Sequence, residues 1–300
     1  MKLLIIDLMN LAFRAYHGFA RQAYLTHNGK PTFMVYGVAV AINKLLNEIR
    51  PTHVAVAAEG GGKTFRHELF ENYKTGRKER PNDFDPQLAD VHSLIAAYGF
   101  KTVKVPKVEA DDIVGTLCEK FQDIEIFIFS GDKDFMQLVN DKVSIVRHSQ
   151  EGYDIIKAEG VFSKFGCLPS QVVDALAIIG DAADAIPGVK GIGEKGASQL
   201  LAAFGDLDSI YSNLDKIKPA LANKLAKSQE SAYLSQKLAK IDKNVSIDVT
   251  LDDLKIANPF DRAELRDFFT SVNFKSMLSK DNSGMIDPKD LEVLDIESLL

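Results

Sequence analysis

Nine carboxylates, two closing apolar runs and seven in short acid-dense clusters, have a type and spacing that suit divalent-cation chemistry. Asp7 closes the apolar run "KLLII" and Glu59 closes "THVAVAAE". "VEADD" supplies Glu109, Asp111 and Asp112, "SGDKD" supplies Asp132 and Asp134, and "GDAADAIPG" supplies Asp181 and Asp184. Any one cluster reads as helix capping or a polar turn, because acids favour the first turn of a helix. Gathered at one sheet edge, they would raise one another's pKa and destabilise the fold unless cations compensated them. Hard oxygen donors with no convergent His or Cys set suit Mg²⁺ or Mn²⁺ rather than Zn²⁺. Two such ions about 4 Å apart can activate water and stabilise the leaving oxygen in phosphodiester hydrolysis.

The segment after the last acids points to the substrate. In "PGVKGIGEKGASQLL", Gly188, Gly191 and Gly193 allow close backbone approach, and the helix that follows offers free N–H groups to a phosphate. Lys190 and Lys195 add positive charge. The pattern is that of a helix–hairpin–helix grip on a DNA backbone; the plain alternative is an ordinary helix–helix turn. Asp181 and Asp184, three apart on an expected helical turn, would face the same way. Lys63, Arg66, Lys74, Arg77, Lys78 and Arg80, with Tyr73, form a basic stretch. It lies in or beside the proline-broken excursion "YKTGRKERPNDFDPQ" and suits single-stranded DNA passing over the metal site; a solvated charged face is the plain alternative. Arg14, one helix from Asp7, is within reach of the same phosphate. His17 and His67 read as structural. "EGGGKTF" imitates a P-loop, but Ala57 stands where that loop needs its first glycine, which disfavours nucleotide hydrolysis.

These residues need a scaffold, and the pattern supplies an α/β one. Strands are expected at Lys2–Ile6, Thr52–Glu59, Thr102–Val105 and Ile124–Ser130, alternating with helices at Met9–Phe19, Tyr36–Ile49 and Ala110–Lys120. Such alternation predicts a mostly parallel, doubly wound sheet with its ligand at the carboxyl ends of the strands. From Ala158 helices follow one another to about Leu278. The expected division is an α/β core over 1–157 that includes the excursion at about 73–95, a helical subdomain over 158–278 carrying the glycine hairpin, and a linker and acidic tail over 279–300. The tail reads as disordered, or as a docking segment for another protein.

Composition sets limits. Lys and Arg total 36 against 42 Asp and Glu, a net charge of −6 that bound cations would locally reverse. Hydrophobic residues at 46% suffice for a core, and no apolar run approaches the ~20 residues of a membrane helix. Cys118 and Cys167 match no zinc or disulfide spacing, which fits a reducing cytosol. A strand starting at Lys2 leaves no room for a signal peptide.

In order along the chain, "FRAYHGF", "YGVAVAINKLL", "KTFRHELFENYKTGR", "VEADDIVGTL", "SGDKDFMQLV" and "GDAADAIPGVKGIGEKGASQLL" resemble the 5′-nuclease domain of bacterial DNA polymerase I and the related flap endonucleases. The resemblance spans roughly Leu3 to Leu278. It implies a PIN-like core, a helical arch and a helix–three-turn–helix motif. It also implies Mg²⁺-dependent hydrolysis of 5′ flaps and free 5′ ends to 5′-phosphates, Mn²⁺ as a substitute and K⁺ at the helix–hairpin–helix. By position it makes the nine acids metal ligands and gives Lys74, Arg77 and Arg14 to the scissile phosphate. The implied protein is a monomer acting on DNA in replication or repair. Glu59 departs from the family's Asp, Ala185 from its Asn and Leu8 from its Gly. The longer Glu59 raises the alternative of a catalytically impaired junction-binding protein. No polymerase sequence follows, so a stand-alone nuclease and a fragment both stand.

Overall fold

The computed structural model describes residues 1–20, 26–77, 79–149 and 152–278. The expected parallel sheet is present and longer than expected. Strands β1 (Lys2–Asp7), β4 (His53–Ala57), β5 (Lys101–Val103), β6 (Glu125–Phe129), β7 (Val143–Ser149) and β8 (Gly152–Ile156) run in the order β5-β4-β1-β6-β7-β8; β2 (Thr26–His27) and β3 (Lys30–Pro31) form a separate small hairpin. All pairings in the large sheet are parallel except β7 with β8. β7 and β8 were not anticipated; they are a hairpin added at one edge, with Ile145 opposite Ile156.

The strands read as continuous apolar runs because both sheet faces are covered. Leu3 and Ile5 pack on one face, with α5 (Ala110–Lys120), and Leu4 and Ile6 on the other, with α1 (Leu8–Phe19) and α2 (Phe33–Ile49). This is the two-residue alternation of a strand, buried twice. The short α3 (Phe65–Leu69) opens with a capping box in which Thr64 and His67 exchange hydrogen bonds, the structural part expected of His67.

The excursion expected as an arch at about 73–95 is helical over much of its length. Residues from Phe84 to Ala97 form α4, whose Phe84, Val91, Leu94 and Ile95 are buried in the core against α2. Pro86 looked like a breaker but sits in the first turn of α4, where a missing N–H costs nothing. Of the expected stretch, only the residues before Phe84 lie outside this helix.

The second half is helical: α6 (Ala158–Phe165), α7 (Val172–Ile179), α8 (Glu194–Phe204), α9 (Leu207–Ser212), α10 (Pro219–Lys227), α11 (Gln229–Ala239), α12 (Ala263–Ser271) and α13 (Lys275–Leu278). α12 returns to pack Leu265 and Phe269 on the α4 side of the sheet. No single helix among the described residues is long and apolar enough to cross a membrane. The tail over 279–300 lies outside the described residues.

Candidate metal centre

Sheet order brings the acids together. β5, β4, β1 and β6 are adjacent and parallel, so the segments leaving their carboxyl ends deliver Glu109 and Asp111, then Glu59, Asp7 and Asp132, to one edge. These five line a cleft of about 460 Å³. Gly60 lets the chain turn there: its N–H donates to the Val108 carbonyl at 2.9 Å, and a Cβ on it would lie 1.6 Å from the Val105 carbonyl oxygen. That glycine serves a close crossing of two chain segments, and no P-loop is formed. Glu59 reaches the cleft and adds to the negative field on Asp7.

The carboxylates divide by how they are compensated. Asp7 is buried, and burial pushes its pKa up to about 6 despite hydrogen bonds from the Asn10 N–H at 3.2 Å and the Ser130 hydroxyl at 2.9 Å. Burial, then Asp132 and Asp7, raise Asp111; burial, with Asp184 and Asp181 nearby, raises Asp132. Asp134 is pushed up to about 8 by burial and by Asp132, and its Oδ1 is buried with no hydrogen-bond partner. These are hard oxygen donors short of positive charge, and they fit a divalent cation.

Other acids already hold a cation. Arg66 is 2% exposed and forks onto Asp112 at 2.7 and 2.8 Å, reaches Glu109 at 3.2 Å, and donates to the Leu238 and Lys240 carbonyls. Asp112 also accepts the Asp242 N–H. Two expectations change here. Arg66 is an internal tie between the sheet half and the helical half and cannot reach DNA; Asp112 is spent on it and is not available as a metal ligand. Tyr73 is also buried, its hydroxyl donating to Glu109 at 3.1 Å, so it offers DNA no stacking face. Burial works against charge on Glu109, but Lys74 and Arg66 hold its pKa below the usual range.

The arch cations rest on the acids. Lys74 Nζ is 3.1 Å from Glu109, and Arg77 is 2.7 Å from Asp184. Lys133, in the middle of "SGDKD", sits 2.9 Å from Asp181; reading that motif for its acids alone overlooked it. Asp181 and Asp184 do not share a helical turn. They sit in a loop closed by the Asp181–Ile186 bridge, with Ala185 at φ +58°. Lys74 is itself left-handed, at φ +60°, and its N–H donates to the Asp184 carbonyl. Held apart this way, no three acids among the described residues converge as a finished ligand set.

Comparison with known proteins matches the two halves separately. Residues 2–166 match the model of the 5′–3′ exonuclease N-terminal resolvase-like domain, and residues 167–262 that of the 5′–3′ exonuclease C-terminal SAM fold. The chain belongs to the 5′–3′ exonuclease family. DNA polymerase I of Bacillus caldotenax is 37% identical over 93% of this chain and 32% of its own length, and the thermostable enzyme of Thermus thermophilus 37% over 92% and 33%. The chain thus spans about a third of these relatives. Among solved structures, the T5 5′-exonuclease with bound divalent metal ions (zinc) shares the fold at a TM-score of 0.70 and 21% identity, covering 91% of this chain and 99% of that one. The catalytic core of Rad2 in complex with DNA substrate does so at 0.56 and 16%, covering 100% and 91%.

Within this exonuclease fold the expected DNA contacts separate in the same way as the acids. Lys190, Gly191, Gly193 and Lys195 are exposed, and Gly193 caps the start of α8 without a side chain to accept from its first N–H groups. Gly188 is not among them. It is buried, its N–H donates to Ser235 and its carbonyl accepts from Ser231, and a Cβ there would meet the Gly180 nitrogen at 2.5 Å. Lys63 is exposed, and Arg80 is exposed, bridging Asp85 and lying over the Phe13 ring. Lys78 lies outside the described residues. Arg14 does not line the acidic cleft; it lines the cavity next to it.

Proposed function

We propose that this chain is a divalent-metal-dependent 5′–3′ exonuclease and 5′-flap endonuclease that hydrolyses DNA phosphodiester bonds to 5′-phosphate products in replication or repair. The observation that carries this is the set of buried, undercompensated carboxylates, with Asp134 Oδ1 left without a partner, beneath an arch that carries Lys74 and Arg77. Asp7, Glu59, Asp111, Asp132 and Asp134, joined by Asp181 and Asp184, would hold Mg²⁺ or Mn²⁺. When bound, two such ions supply an activated water and stabilise the leaving oxygen.

The chain's own groups do the rest. Arg66, Asp112 and Tyr73 fix Glu109 and the start of α5. Lys74 and Arg77, which otherwise neutralise Glu109 and Asp184, turn to the scissile phosphate and stabilise its growing charge. The Gly193 end of α8, with Lys190 and Lys195, holds duplex phosphate at free N–H groups. Lys63 and Arg80 line the path of the 5′ strand. A K⁺ ion at this turn would compete with the Lys224 ammonium, 3.0 Å from the Gly191 carbonyl. DNA with 5′ flaps or free 5′ ends is the proposed substrate, a DNA polymerase the proposed partner and the monomer the proposed working unit.

The test is cleavage of an end-labelled 5′-flap duplex in Mg²⁺, Mn²⁺ and EDTA. Cleavage near the junction in either metal, abolished by EDTA and lowered about 100-fold or more in Lys74→Ala, is expected. Tight flap binding without cleavage in either metal would instead identify a junction-binding protein.

A further inference from the structure

Beside the acidic cleft lies a second cavity of about 400 Å³, between α1, α2 and the β7–β8 edge. Asn10 and Phe13 line both, so a nucleic-acid strand in one can extend into the other. Asn10 is held in place by the Gly131 N–H, which donates to its side-chain oxygen at 2.9 Å.

Two polar groups in this cavity lack partners. His148 Nδ1 is buried and makes no hydrogen bond. The half-buried Arg14 guanidinium has no ion pair or hydrogen bond among the described residues. Lys44 adds a third basic group, reaching Glu48 only at 4.0 Å and lying over the Tyr153 ring. Burial, then Arg14 and Lys44, press the His148 pKa down to about 4. Buried polar groups are normally satisfied, and an unpartnered one beside free basic groups calls for a bound water, ion or ligand. The missing partner is an anion with polar atoms for an imidazole. The apolar wall of Leu11 and Val40 asks for a flat or apolar body attached to it.

We propose that this cavity is a subsite for the terminal nucleotide on the 5′ side of the cleaved bond, which leaves as a nucleoside 5′-monophosphate. Arg14 and Lys44 take its phosphate, His148 takes a sugar or base polar atom, and the apolar wall takes the base. The volume lies within the ~300–1,000 Å³ of small-molecule pockets. The assignment rests on the nuclease reading for its biological ligand, but the pocket's chemistry stands apart from catalysis.

The experiment is a calorimetric titration of the full chain in EDTA with thymidine 5′-monophosphate, inorganic phosphate and thymidine in turn. The monophosphate is expected to bind at least tenfold more tightly than either part. Lys44→Ala and the milder His148→Gln are each expected to weaken it at least fivefold while melting with the wild type. Phosphate binding as tightly as the monophosphate would reduce the cavity to a simple anion site and overturn the assignment. Monophosphate binding unmoved by both variants would overturn it by placing the ligand elsewhere. Because no metal is present, a failure of flap cleavage would count against the nuclease reading and leave this result intact.

Discussion

Two groups of buried acids lie within one fold and are treated in opposite ways. Around Arg66, Asp112 and Glu109 are buried with a guanidinium fork, a tyrosine hydroxyl and a lysine fitted to them. Around Asp7, Asp111, Asp132 and Asp134, burial is similar but protein cations are few, and Asp134 Oδ1 has no partner. The first group is finished without help and ties the α/β half to the helical half through the Leu238 and Lys240 carbonyls. The second is finished only by charge from outside. Acids adjacent in sequence thus meet opposite surroundings: Asp111 faces the cleft and Asp112 faces Arg66.

The sharpest way to break this comparison is to remove the cation of the finished group. Arg66→Ala leaves the buried Asp112 without its cation and Glu109 with Lys74 alone, and a loss of about 3–5 kcal/mol in denaturant unfolding is expected. A loss below 1 kcal/mol would mean the group is not internally compensated.

The unfinished group should announce itself through pH. Its carboxyls have raised pKa values, so between about pH 4 and pH 8 the folded protein holds more protons than the unfolded chain and stability falls as pH rises. The rise of Asp7 to about 6 alone corresponds to on the order of 3 kcal/mol. Glu109 and Asp181, whose pKa values are lowered, act the other way and lose their contribution as pH falls below the ordinary carboxylate range. The melting temperature of metal-free protein should therefore drop from pH 5 to pH 8, and Mg²⁺ or Mn²⁺ at pH 8 should restore it. A flat profile with no metal response would contradict the division.

A smaller effect sharpens the picture at the 181–186 loop. Ala185 is left-handed, which costs a side-chain-bearing residue roughly 1–2 kcal/mol. Ala185→Gly should gain up to about 1 kcal/mol after its unfolded-state entropy is counted, without altering flap cleavage.

Much of this was legible in the sequence. The acid at the end of β1 and those just after β4 and β6 were readable because a buried parallel strand is an unbroken apolar run, and the acid stands where the run stops. The Ala110–Lys120 and Glu194–Phe204 helices fell where expected for the same kind of reason. Pairing was not legible. Nothing in "KTFRHEL" distinguishes Arg66, turned inward, from Lys63, turned outward, because that choice is made by Asp112 and two carbonyls far along the chain. Gly188 and Gly193 look equivalent in sequence, yet one packs on Gly180 and the other opens a helix. The β7–β8 hairpin was missed because "VSIVRHS" and "GYDII" mix polar with apolar residues, although of the two only β8 is an edge strand. The unpartnered His148 could not be seen at all before that hairpin placed it beside Arg14.

Whether the paired and unpaired acids have different jobs is decided by comparing two neighbouring carboxylates side by side. Mn²⁺ binding followed by electron paramagnetic resonance, with flap cleavage on the same samples, should be compared for Asp111→Asn and Asp112→Asn. The account predicts that Asp111→Asn weakens Mn²⁺ binding and abolishes cleavage while leaving the fold stable or more stable, and that Asp112→Asn keeps the ions but destabilises the protein. Equal loss of Mn²⁺ in both variants, with stability unchanged in Asp112→Asn, would contradict it.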